Sequence, residues 1–302
     1  MVVIVVAIVL VLVLVLRVAV RRAALFIWAM TSKVPLKVAG SSAWARLRTF
    51  WQRLEARYPI PFGFVACRFD PQRPTGLPMT LVMVAALYLL ALFSGLTEDI
   101  LEAKGTIASD NLINAAFGPL RTEPFISAFL WVTSLGNTPS VVAAVIIATG
   151  FLWSQQGIRV VIPLWITCLG ALATTGIGKL LITRHRPETM LDANAMGWSF
   201  PSGHATAAMA VYGFIAYAIA RMRPDFRERF EVAYWAGVMI FLIGFSRIFL
   251  SVHYVTDIMG GFLVGGFWLL MGFTMAEWRG WHPSLHSGMQ GQRAPQDDGQ
   301  SH

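Results

Sequence analysis

Residues 198–217 read WSFPSGHATAAMAVYGFIAY, a polar tetrad (Pro201, Ser202, Gly203, His204) set directly before an apolar run with small residues. Proline at a helix start fixes φ without wasting a donor. Serine is a good N-cap, and glycine lets a backbone approach a ligand closely. The stretch therefore predicts a transmembrane helix whose first turn presents N–H groups, a partial positive charge and an imidazole together. That combination is an anion site with a proton donor built in. Taken alone, the same stretch also fits a capped helix with an interfacial histidine.

Two further clusters change the balance. Upstream stand Lys179, Arg186 and Pro187; downstream stand Ser246, Arg247, His253 and Asp257. Each lies at the end of an apolar run, so alternating spans would bring all three clusters to one side of a membrane.

Composition supports spans. The 302 residues are 56% hydrophobic and only 13% charged, with a mean hydropathy of +0.61. These values describe a polytopic membrane protein rather than a soluble domain. The net charge of +8 borders apolar runs, which fits topology and an anionic lipid face better than nucleic acid. Cys67 and Cys168 have neither the spacing nor the setting of a disulfide or metal site.

Residues 2–16 are apolar without a break, and Arg17, Arg21 and Arg22 follow rather than precede them. This order reads as an uncleaved anchor with its N-terminus outside rather than a secretory signal. Between Arg17 and Leu77, basic residues far outnumber Glu55 and Asp70, the strongest cytoplasmic signature in the chain. Within it, Trp44, Leu47, Trp51 and Leu54 fall at helical spacing among arginines, so 41–58 reads as an interfacial amphipathic helix or one packed on the bundle. Further spans are predicted at 79–96, 139–153, 159–178, 204–220, 232–249 and 255–276. The loop holding Glu98, Asp99, Glu102, Asp110 and Glu123 is acidic and external in this scheme, and the arginine-rich loop at 221–231 is cytoplasmic. Gly260, Gly261, Gly265 and Gly266 should permit close helix packing in the last span. The tail from Glu277 reads as disordered and cytoplasmic.

The expected fold is therefore an all-α polytopic membrane bundle, a six-helix core at 79–276 with an extra N-terminal transmembrane helix. Residues 1–78 form an anchor and basic segment, and 277–302 a tail.

Lys179, Arg186 and Arg247 on one surface would be prohibitive near hydrocarbon without an anion to offset them. A tetrahedral oxyanion fits: arginine offers forks, lysine a point charge, and Ser202 and Gly203 open the helix terminus. His253 and Asp257 are spaced i, i+4 and share a face if both lie on a helix. A carboxylate there can accept Nδ1–H and leave Nε2 as a nucleophile. His204, from another helix, would protonate the leaving oxygen and later activate water. Singly, Lys179 and Arg247 also fit interfacial anchors, and a His-xxx-Asp pair a structural hydrogen bond. Together they are a kit for phosphoryl transfer through a phosphohistidine, with positioning and electrostatics carrying the chemistry and neither a metal nor a cofactor called for.

Lys179-x6-Arg186-Pro187, Pro201-Ser202-Gly203-His204 and Ser246-Arg247-x5-His253-x3-Asp257 resemble the three-part signature of the type 2 phosphatidic acid phosphatase superfamily, relatives of vanadium-dependent haloperoxidases and bacterial acid phosphatases. The resemblance implies His253 as nucleophile held by Asp257, and His204 as acid then base. It implies phosphate binding by Lys179, Arg186, Ser202, Gly203 and Arg247. The expected protein is a bacterial cytoplasmic-membrane lipid phosphatase with its site on the periplasmic or external face. Its partners are then a phosphorylated lipid and the bilayer, with no nucleic acid and the oligomeric state left open. Undecaprenyl diphosphate stands first among substrates, ahead of phosphatidic acid, phosphatidylglycerol phosphate and lipid A phosphates. Vanadate-dependent halide oxidation and lipid binding without turnover are the alternatives.

Overall fold

The architecture is that of a computed structural model, which describes residues 76–102, 106–188, 190–192 and 197–280, together with 11, 13–23, 25, 53, 57, 58 and 68. The spanning reading of 2–16, the amphipathic reading of 41–58 and the disordered reading of 281–302 fall wholly or mostly outside the described residues.

Eight helices carry the described chain from residue 76 onward: α1 (Leu77–Leu101), α2 (Thr106–Ala116), α3 (Glu123–Ser134), α4 (Thr138–Gln156), α5 (Ile158–Ile182), α6 (Gly203–Arg221), α7 (Phe226–Phe249) and α8 (Val255–Gly280). No strand occurs among the described residues. Six of the helices, all but α2 and α3, are long and apolar enough to cross a membrane, and they coincide with the six spans expected from residue 79 onward. The protein is a multi-pass membrane bundle. Leu87, Leu172 and Leu181 are among many large apolar side chains left exposed on its flanks, as a hydrocarbon solvent requires.

Two sequence readings need correction. The acidic stretch after α1 is not an open loop, because α2 forms there and Asp110 is only 2% exposed. Its charge serves an internal contact rather than topology. Glu277 is likewise not in the tail, since α8 continues through it and Glu277 pairs with Arg221 at 2.8 Å.

Helix α8 is the hub, packed against α1, α5 and α6. A Cβ on Gly261 would meet the Ser202 carbonyl at 2.7 Å, and one on Gly265 would meet the Thr206 carbonyl and Met209 at 2.7 Å. The backbones of α6 and α8 thus approach as only small residues allow. Gly260 and Gly266 face other neighbours, Phe200 and Leu89. Because α5 to α8 alternate in direction, the end of α5, the start of α6, the end of α7 and the start of α8 share one end of the bundle. At the opposite end, Arg17 of the helical segment 13–23 pairs with Glu231 of α7 at 2.6 Å.

Candidate active site

Local backbone geometry explains how residues far apart in sequence meet. Helix α5 stops at Ile182, where Thr183 takes a left-handed conformation (φ 43°) and turns the chain just past Lys179. Arg184 and Arg186 follow in the connection to α6. Helix α7 ends similarly: Ser251 is left-handed (φ 55°), and the Val252 and His253 N–H groups both donate to the Arg247 carbonyl, at 3.0 and 3.3 Å. That turn folds His253 back over the helix end, so a separation of six residues brings His253 beside Arg247.

His253 precedes α8 rather than lying on it, contrary to the shared helical face expected from the i, i+4 spacing. The contact forms nonetheless. Asp257 sits in the first turn of α8 and its Oδ2 reaches back, accepting the Tyr254 N–H at 2.9 Å and lying 3.4 Å from His253 Nδ1. The carboxylate acts as a cap and a histidine partner at once.

Lys179, Arg186, Gly203, His204, Arg247 and His253 line one cavity of about 730 Å³. Asp257 and Ser202 are fully buried beside it. Every site residue named from sequence is thereby accounted for at one end of the bundle. Ser202 occupies the N-cap position of α6, but its hydroxyl does not cap the helix; Oγ is buried without a hydrogen-bond partner. Arg247 Nε is buried without a partner too. An orphaned donor on Arg247, which lines the cationic cavity, and another on Ser202 next to the lining Gly203 fit an oxyanion.

The histidine tautomers follow from their neighbours. Arg186 Nη1, which can only donate, lies 3.1 Å from His253 Nε2. Nε2 therefore accepts and Nδ1 carries the proton. Nδ1–H faces Ser199 Oγ at 3.2 Å and the Asp257 carboxylate, to which Ser199 also donates. Burial pushes the His253 pKa down to about 4, with Asp257 pulling it back up and the Arg186 and Arg247 charges lowering it further. The ring is neutral at physiological pH, and its unprotonated Nε2 is held by the Arg186 N–H, a bond that a bound phosphate would draw away. His204 Nε2 lies 2.7 Å from the Asn137 side-chain oxygen, which accepts, so this nitrogen carries the proton.

Several residues that shape the site were not singled out from sequence. Arg184 bridges two buried carboxylates, Asp257 Oδ1 at 2.6 Å and Asp110 Oδ2 at 2.8 Å, and stacks 4.4 Å over the Tyr254 ring. Asp110 also accepts from the Thr256 N–H at 3.3 Å and from its hydroxyl, tying α2 to the start of α8. Burial works against the Arg184 charge, but Asp257 and Asp110 more than offset it and hold its pKa above the usual value. Gly136 and Asn137 form the α3–α4 turn against His204, and a Cβ on Gly136 would sit 2.8 Å from His204 Cδ2. The one sequence signal for these was the interruption of an apolar run by LGNTPS. Thr133 and Asp192 hold Arg247 Nη1 at 2.8 and 3.0 Å. His185 packs edge-on against Trp198 instead of entering the cavity.

Away from the charges the cavity wall turns apolar, with Val142, Ile146, Leu169 and Leu172 between α4 and α5. These residues are 49–70% exposed, so the cavity opens sideways toward hydrocarbon.

Residues 159–281 match the family model of the PAP2 superfamily. That region holds every residue of the three clusters. A curated relative, phosphatidylglycerophosphatase B of Bacillus subtilis (strain 168), is 41% identical over 98 residues, 32% of this chain. The matched part spans about half of that protein's length, 48%. The crystal structure of a transmembrane PAP2-type phosphatidylglycerolphosphate phosphatase from Bacillus subtilis superposes with a TM-score of 0.59 at 25% identity, covering 66% of this chain and 98% of that one. The likeness of fold thus covers more of the chain than the region that the family model matches.

Proposed function

We propose that this chain is a PAP2-type integral-membrane phosphatase that removes a terminal phosphate from a lipid through a phosphohistidine. The observation that carries the reading is the shared cavity: two histidines from different elements, three cations and an apolar side opening in one volume. A lipid can seat its phosphate among Lys179, Arg186 and Arg247 while its chains leave between α4 and α5.

In the first step His253 Nε2 attacks phosphorus as the phosphorus–oxygen bond to the lipid breaks. His204, entering as the imidazolium, gives one proton to the departing oxygen and is left neutral. Asp257 holds the Nδ1–H and stabilises the cationic ring, and the cationic groups with the α6 terminus offset the phosphoryl charge. In the second step His204 takes a proton from water, whose oxygen attacks phosphorus and breaks the phosphorus–nitrogen bond. Inorganic phosphate leaves and both rings return to their starting state.

Both named relatives act on phosphatidylglycerol phosphate by their names, which moves that lipid ahead of undecaprenyl diphosphate, the substrate favoured from sequence. The location that fits is a bacterial cytoplasmic membrane with the site on the external face. Arg17, Arg221, Arg223, Arg227 and Arg229 gather at the end away from the site, which supports this by the positive-inside rule.

The test is phosphate release from detergent-solubilised phosphatidylglycerol phosphate, phosphatidic acid, undecaprenyl diphosphate and lipid A, with EDTA present. Wild type should act, and His253→Ala should lose at least about a thousandfold in kcat. Brief acid-stable trapping is not expected, whereas base-stable radioactive phosphate on wild type and its absence on His253→Ala would support the intermediate. Undiminished turnover by His253→Ala would overturn the mechanism.

A further inference from the structure

The phosphate cradle contains an anion of its own. Asp192, in the connection between α5 and α6, lines the same cavity as Lys179, Arg186, His204, Arg247 and His253. Its Oδ2 accepts from Arg247 Nη1 at 3.0 Å, with the Arg247 side chain 3% and the Asp192 side chain 11% exposed. The same Nη1 donates to Thr133 Oγ1 at 2.8 Å, so this arm of the guanidinium is committed while the buried Nε is not. Asp192 is also near enough to act on the charge of Arg186. Three cations less one carboxylate leave two net positive charges facing the ligand.

We propose that Asp192 sets the charge this site accepts, selecting a lipid phosphomonoester over a lipid diphosphate. The inference rests on the phosphatase reading above and narrows it to one substrate class. A phosphomonoester brings at most two negative charges and matches the cradle. In a diphosphate the leaving group is itself a phosphate, and its additional charge must enter a half-buried volume beside a fixed carboxylate. Like charges juxtaposed in such a setting are a strong means of rejection, more so than lost attraction. The apolar side opening accommodates either kind of tail, so tail chemistry alone would not discriminate. The anion in the cradle does.

The experiment compares kcat/KM for phosphatidic acid, whose head carries the phosphomonoester alone, and for undecaprenyl diphosphate in mixed micelles at fixed ionic strength. Wild type, Asp192→Asn and Asp192→Glu are measured side by side. Asp192→Asn should shift the ratio toward the diphosphate by about tenfold or more, the scale expected for one nearby like charge. Asp192→Glu keeps the charge and should stay within about threefold of wild type. Because Asp192→Asn could also slow turnover, calorimetric binding of orthophosphate and inorganic pyrophosphate supplies a second readout, in which pyrophosphate should gain relative to orthophosphate. An unmoved ratio in both readouts overturns the inference, as does an equal shift in Asp192→Glu. A wild type active on both lipids with an unmoved ratio in Asp192→Asn defeats the charge filter alone. A wild type that hydrolyses neither lipid defeats the phosphatase reading, and the filter with it.

Discussion

His253 shows how a residue's chemistry is set by its surroundings. Burial disfavours the imidazolium and places the pKa at about 4, below the ordinary histidine value of 6.5. In the proposed mechanism the neutral form is the nucleophile, so kcat/KM should hold as pH falls through 6.5 and be lost only as it falls through about 4. The measurement is a kcat/KM profile with the substrate's own phosphate ionisation divided out; an acid limb near 6.5 attributable to the enzyme would contradict it. Asp110 affords a second case. Its carboxylate holds one side of Arg184, whose other side orients Asp257. Asp110→Asn should lower kcat about tenfold with little change in KM and cost about 3 kcal/mol of stability, since it strips one partner from a buried charge. Kinetics and thermal unfolding in detergent check this, with Asp110→Glu expected to restore part of kcat. The residues legible in the sequence were those whose chemistry is explicit and whose spacing is short. Asp110, Arg184 and Ser199 were not, because Asp110 and Arg184 lie 74 positions apart, Ser199 and Asp257 58, and only the fold joins them.

At the scale of elements, the apolar runs marked all six long helices from α1 onward, since a span's length and composition are dictated by the bilayer. Helix α2 was missed because an amphipathic surface helix with several polar residues has the composition of a loop, and its decisive contact is tertiary. The mode of helix association was partly legible in the glycines of α8, although they serve three different neighbours rather than one. Gly265 gives the sharpest consequence. A Val side chain there would collide with Met209 and the Thr206 carbonyl, both on the helix that carries His204. Gly265→Val should destabilise the bundle by about 1–3 kcal/mol and reduce activity by displacing α6 from α8. Gly265→Ala should show a smaller effect of the same sign. A thermal melt as high as wild type for both variants would show that the close approach is dispensable.

The whole molecule places its charge asymmetrically. The site end carries cations that line the cavity, whereas the far end carries arginines that pair with glutamates at its rim, as Arg17 does with Glu231 and Arg221 with Glu277. The positive-inside rule is therefore applied to the far end alone, because the cations at the other end line a cavity and on the proposed function answer to a ligand rather than to topology. Glu188 is exposed beside the site and Asp225 is exposed in the turn between α6 and α7 at the other end. Single cysteines at these positions, in a chain freed of Cys67 and Cys168, report the orientation directly. In sealed right-side-out vesicles a membrane-impermeant maleimide should label Glu188→Cys within minutes and leave Asp225→Cys unlabelled until detergent is added. In inverted vesicles the pattern should reverse. Labelling of Asp225→Cys from outside would put the cradle on the cytoplasmic face, and with it the leaflet from which the lipid phosphate must be drawn.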